Sequence, residues 1–180
     1  MVDTLKVAAE KSLKRFNKFI KPILEHELNA VIEPAEKEEV DLLKKFDMQA
    51  SIDHVVVDSS GLRGLSQRTQ DDENLKEIYR TFTIRCFRDS GAKTELAKII
   101  EAKRNNYVYP YWIVQGYTSG DECLNRFAYA TWNDTLALHA DGKSRLLHTG
   151  EEQIGQASFY ALEWSEFIRA GLFIYIYDKP

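Results

Sequence analysis

A chain of 180 residues is long enough for one full hydrophobic core and short for two, so a single domain over 1–180 is expected. Apolar residues make up 44%, with nine Tyr and nine Phe, a composition that excludes a disordered chain. With 24 basic and 28 acidic residues the net charge is −4, so nucleic-acid binding would need a local basic face.

The first segment, Thr4 to about Val31, has helical spacing: Leu5, Ala9, Leu13, Phe16, Ile20 and Leu24 form one apolar stripe. Lys11, Lys14, Lys18 and Lys21, with Arg15 beside them, fall on the opposite face. Pro22 removes a backbone donor and is expected to kink the helix or start a new one. A second helix is expected from Pro34, with Glu36, Glu38 and Glu39 in its first turn and Val40, Leu43 and Phe46 inward.

The period then changes. Ile52 to Val57 reads as a strand, Asp58 to Gly61 as a turn, and Leu62 to Gln70 as the partner strand of a hairpin. Tyr79 to Arg88 alternates, with Phe82, Ile84 and Cys86 on one face and Thr83 and Arg85 on the other. Lys93 to Asn106 is a predicted helix capped near Thr94, with Leu96, Ile99 and Ile100 inward. Tyr107 to Tyr117 is a predicted strand, Phe127 to Leu138 a further strand or strand pair, Asp141-Gly142 a turn, Ser158 to Ala170 a short helix, and Leu172 to Tyr177 a terminal strand. The three parts are a helical 1–47, a core of 50–118 and C-terminal additions at 125–180.

Cys86 and Cys123 follow no metal-ligand spacing and read as thiols in a reducing compartment. No apolar run approaches the roughly 20 residues of a membrane span. A cytoplasmic protein without a membrane partner is expected, working in a host cytoplasm if the chain is viral. Glu25-His26-Glu27 lacks the second His of a zinc helix motif, and no Gly-rich phosphate loop is present.

The order helix, strand, strand, strand, helix, strand resembles the core of the restriction-endonuclease-like, or PD-(D/E)XK, nuclease superfamily. Ser51-Ile52-Asp53 stands at that family's Asp position, and Arg68-Thr69-Gln70 stands where its Glu-x-Lys is expected. The stretch from Glu25 to Thr118 also resembles a largely phage-associated group that pairs an Ile-Asp strand with an Arg-x-Gln strand. That group continues with a Phe-Thr-Ile-Arg strand, here Phe82 to Arg85, and a Gly-Ala-Lys-Thr-Glu helix start, here Gly91 to Glu95.

The resemblance implies an α/β (α+β) fold with a mixed central sheet flanked by helices, an N-terminal helical segment and C-terminal strand additions. It implies DNA as substrate and Mg²⁺ held by Asp53 and Glu27, the helical phase placing Glu27 inward if Pro22 leaves the register unrotated. A metal held this way polarises a phosphate and lowers the pKa of an attacking water. Gln70 would orient water or phosphate in an endo- or exodeoxyribonuclease. Arg68, however, puts a cation where a metal ligand is expected, and Gln70 lacks the Lys charge.

Two readings follow: a Mg²⁺-dependent nuclease using Asp53, Glu27, Arg68 and Gln70, or a non-catalytic member of the fold that binds nucleic acid or a protein partner. Arg68 and Gln70 share a strand face and have fork geometries suited to a phosphate or a base edge. Arg85 and Arg88 on the next strand would extend that basic lane if their face points the same way. The Lys11, Lys14, Lys18 and Lys21 stripe is a second candidate phosphate contact, although a solvated helix face is the commoner use. Asp53 has a structural alternative, a salt bridge to Arg68, and Glu95 has another, a charge favourable to the helix start. Gln115 could join the lane. Tyr107, Tyr109, Tyr111 and Trp112 could stack on unpaired bases or pack in the sheet. A third reading is an assembly protein whose Leu172 to Tyr177 strand pairs at an edge.

Overall fold

A computed structural model describes residues 4–35, 51–72, 78–88, 90–148 and 157–179. The chain opens with helix α1 (Thr4–Arg15), a π-helical turn (Phe16–Ile20) and α2 (Lys21–Leu28). Strands β1 (Val31–Pro34), β2 (His54–Asp58), β3 (Gly61–Asp71) and β4 (Thr81–Arg88) follow. Helix α3 (Glu95–Arg104) leads into β5 (Pro110–Ser119), β6 (Cys123–Thr131) and α4 (Trp132–Ala140). The chain ends with β7 (Ser144–His148), β8 (Ala157–Glu163), α5 (Trp164–Arg169) and β9 (Ile174–Asp178).

Six strands form a mixed sheet in the order β1-β2-β3-β5-β6-β9, and three form a second sheet in the order β4-β8-β7. Only β3 and β5 run parallel in the large sheet, with Arg68 beside Gln115 and Gln70 beside Tyr117. A parallel pair needs a crossover. Here it contains β4, which leaves for the second sheet, and then α3.

The large sheet is covered on both faces, so its central strand β5 is buried almost throughout. One face packs under α1, the π-turn and α2 through Phe16, Ile20, Leu24, Val56, Leu65, Val114 and Phe127. The other face packs against the second sheet and the remaining helices through Ile113, Tyr117, Phe82, Ile99, Trp132, Trp164 and Phe167. Ile20 lies directly on Gly116 of β5, where a built Cβ would fall 2.3 Å from the Ile20 Cδ1.

Several sequence expectations change. Pro34 ends the edge strand β1, paired with His54, and starts no helix. An edge position tolerates its missing donor. The helix expected to follow it falls at 36–50, outside the described residues. Pro22 is accommodated at the start of α2, after a π-turn in which the Lys21 amide reaches back to the Phe16 carbonyl.

The predicted strand at Phe127 to Leu138 splits into the end of β6 and helix α4. Thr131 caps α4 by accepting the Asp134 amide at 3.1 Å, a Thr-x-x-Asp start signal that the apolar run obscures. The segment expected as helix from Ser158 is instead strand β8, between β4 and β7, with helix only from Trp164. Ile100 is exposed, while Leu96 and Ile99 point inward as expected. No helix among the described residues is long and apolar enough to cross a membrane.

Candidate phosphate-binding seam

β3 has 11 residues, but β2 pairs only with its first half, from Gly61 to Leu65. Past that point the outer edge of β3 would present bare amides, which are costly when buried. Side chains seal it. Asp53 Oδ2 accepts the Gln67 amide at 2.6 Å, and Ser12 Oγ from α1 accepts the Thr69 amide at 2.9 Å. Asp53 therefore replaces a strand carbonyl as an acceptor.

The basic helix face is also engaged. Arg15, expected among the solvated cations, is buried and bonds Asp71 at 2.9 Å and Asp121 at 3.0 Å. Lys14 reaches Asp121 at 2.6 Å, and Lys18 donates to the Asp121 carbonyl. The hydrogen bonds from Lys14 and Arg15 hold the Asp121 carboxyl down at about 2. Lys21 pairs with Glu25 at 3.8 Å, and Lys11 is exposed. The stripe fastens α1 to the β5–β6 turn, and most of its charge has an internal partner.

Glu27 does not point inward. The π-turn carries an extra residue per turn and rotates the phase of everything after it. Glu27 lies beside His26, at 3.4 Å from its Nδ1, and its charge acts on Tyr129 of β6 and Tyr175 of β9. Burial first, and then Glu27, pushes the Tyr129 hydroxyl up to about 12. From β2 to β6 is three strand spacings, about 14 Å. Asp53 and Glu27 are thus not brought together, and the described residues contain no cluster of three carboxylate, His or Cys side chains suited to a metal ion. Among the described residues, Asp53 and Glu27 do not form the shared donor set for Mg²⁺ that the resemblance implied.

What the fold does bring together is the other half of the predicted site. Arg68 and Gln70 project from the β3 face that meets the second sheet, where the free edge of β4 abuts β5. Gln115 Oε1 accepts from the Thr83 amide at 3.3 Å and from its hydroxyl at 2.9 Å, and Gln115 Nε2 donates to Gln70 Oε1 at 3.4 Å. Arg68 bonds Thr83 Oγ1 and Glu95 Oε2 at 3.4 Å each. Both contacts are long for a charge-assisted bond, whose usual length is about 2.7–2.9 Å.

The Arg68 and Arg85 guanidinium groups share one aromatic plate, at 4.9 and 5.4 Å from the Phe159 ring centre. They are therefore at most about 10 Å apart, and at an effective dielectric of 20 their repulsion is at least on the order of 1–2 kcal/mol. Burial, then Arg68 and Arg88, lowers Arg85 to about 10, while Glu95 opposes the shift. Arg85 remains protonated at neutral pH.

The buried Nε atoms of Arg85 and Arg88 have no hydrogen-bond partner among the described residues. A buried donor left unpaired costs roughly 1–3 kcal/mol. Among the described residues the seam thus holds three guanidinium groups and one carboxylate, with donors in excess.

Arg68 and Gln70 were legible in the sequence as one face, and Arg85 and Arg88 as its extension if the next strand turned the same way; Arg68 and Arg85 meet at the Phe159 ring. Glu95 and Gln115 carried a weaker signal, Gln115 as a polar residue in an apolar strand. Phe159 carried none, because its segment reads as helix. Of the aromatics considered for base stacking, Trp112 is buried, Tyr109 bonds Asn133, Tyr111 lies under Arg63, and Tyr107 is exposed. Comparison with family models, with curated proteins and with solved structures found no match.

Proposed function

We propose that this protein binds nucleic acid through its phosphates, without a metal ion, at the seam of Arg68, Arg85 and Arg88. The observation that carries the reading is the convergence of three guanidinium groups on one partly buried seam with a single carboxylate, Glu95, among the described residues there. Arginine forks suit phosphate oxygens, and a positive cleft with low-dielectric walls concentrates anions. The order helix, strand, strand, strand, helix, strand, read over α1/α2, β2, β3, β4, α3 and β5, holds along the chain, although β4 joins the second sheet and does not lie beside β3. That order supports a nuclease-like ancestry for a binding protein whose expected metal ligands lie apart.

The test is fluorescence anisotropy with labelled single- and double-stranded DNA and RNA, with EDTA and then with Mg²⁺ or Mn²⁺. Affinity should survive EDTA, fall with salt, and drop at least tenfold in Arg68→Gln/Arg85→Gln. Binding unaffected by that double substitution would defeat the reading. Metal-dependent cleavage would restore the nuclease reading in its place.

A further inference from the structure

We infer that the seam is built for a phosphomonoester dianion, such as a phosphorylated nucleic-acid end, in preference to an internal phosphodiester. The inference rests on the phosphate-binding reading above and names its ligand class.

The first ground is the polarity of the amide relay. The Thr83 backbone N–H can only donate, and it faces Gln115 Oε1. That fixes which end of the Gln115 amide carries the oxygen. Gln115 Nε2 must then donate to Gln70, and it meets Gln70 Oε1. The Gln70 oxygen accepts one bond from this relay and keeps a second lone pair, and its NH₂ group makes no hydrogen bond among the described residues. Gln70 is presented beside Arg68 as a donor. A phosphate oxygen needs donors alone, which this NH₂ group and the guanidinium groups supply.

The second ground is charge. Three guanidinium groups against Glu95 leave two positive charges without a partner among the described residues. A phosphodiester carries one negative charge, and a phosphomonoester approaches two above its second pKa of about 6. The third ground is incomplete satisfaction. Arg68 makes only long bonds, and the Nε groups of Arg85 and Arg88 have no acceptor among the described residues. A ligand rich in acceptor oxygens would tighten this arrangement without breaking a short protein contact.

The test compares one mixed-sequence single-stranded 12-mer carrying a 5′-hydroxyl, a 5′-phosphate or a 3′-phosphate, alongside inorganic phosphate and a nucleoside monophosphate measured by calorimetry. Gln70→Glu keeps the side-chain shape and reverses its polarity. Gln70→Met and Arg88→Gln are companions, with circular dichroism and melting to confirm folding.

The expected result is at least tenfold tighter binding of one phosphorylated end than of the hydroxyl oligonucleotide. The preference should grow from pH 5.5 to 7.5 and disappear in Gln70→Glu. Equal binding of all three oligonucleotides, weakened by the seam variants, would overturn the inference while leaving phosphate-backbone binding intact. Seam-dependent binding of inorganic phosphate or the mononucleotide without any oligonucleotide would support the dianion class and remove the nucleic-acid reading. Binding indifferent to every seam variant would remove both.

Discussion

Asp53 holds the Gln67 amide at 2.6 Å, in the place where one more residue of β2 would have offered its carbonyl. Asp53→Ala should therefore destabilise the protein by about 1–3 kcal/mol, because it strands a buried donor. Asp53→Asn retains an acceptor and should cost less. Urea midpoints for the two variants check this. Equal midpoints for the wild type and Asp53→Ala would show that the edge is sealed by other means. The same result matters for any activity assay, since loss of function in Asp53→Ala must be separated from loss of fold.

His54 is fully buried against the Phe16 ring at 4.5 Å, and neither ring nitrogen has a hydrogen-bond partner among the described residues. Burial first, and Lys21 second, lowers its pKa from 6.5 to about 4. The unfolded chain therefore binds the extra proton first as pH falls. Stability from the neutral ring is fully present above about 6.5 and declines down to about 4, by a total of about 3 kcal/mol at most. His54→Phe should flatten the dependence of the urea midpoint on pH across that window. An unchanged slope would assign the acid sensitivity to other groups.

Gly116 lets the Ile20 side chain lie on β5, with no room for a Cβ between them. Gly116→Val should destabilise the protein by about 1–3 kcal/mol through overpacking. Ile20→Val removes the Cδ1 that collides. The double variant Gly116→Ala/Ile20→Val should be more stable than the two single effects summed, a coupling that a double-mutant cycle reads directly. Strict additivity would mean that the helix shifts as a body instead.

Arg126 and Asp72 form an ion pair at 2.8 Å with both side chains 9% exposed. Arg126 also donates to the Tyr79 carbonyl at 2.8 Å, and Asn125 donates to Asp72 at 2.7 Å. Removing one partner leaves a buried charge, so Arg126→Met should cost about 3–5 kcal/mol. Adding Asp72→Leu should recover part of that loss. Thermal melting of the single and double variants checks the sign of the recovery.

The sequence showed the elements whose periodicity is local. β2, β3, β5 and β9 alternate or run apolar, and Thr94 caps α3 by accepting the Ala97 amide at 3.3 Å. Alternation also placed Arg68 with Gln70 correctly. It could not show which sheet a strand joins, because β4 has the same pattern whether it pairs with β3 or with β8, whose paired residues lie 69 to 82 positions away. Ser158 to Glu163 suits either period, and pairing on both sides decides for strand. Arg15 reads as solvated because its partners, Asp71 and Asp121, are 56 and 106 residues distant. Glu27 was misplaced because a π-turn leaves no mark in the apolar spacing.

The shared plate under Arg68 and Arg85 has a consequence in time. Its ring belongs to Phe159 on β8, whereas the arginines it carries lie on β3 and β4. Synthesis proceeds from the N-terminus and each pairing waits for its later partner. The guanidinium groups leave the ribosome long before the strand that holds them side by side. β4 gains its neighbour only when β8 docks along it, which is slow for a contact so distant in sequence. The concentrated basic surface is therefore a late product of folding, completed after most of the chain has moved away from the phosphate-dense machine that made it.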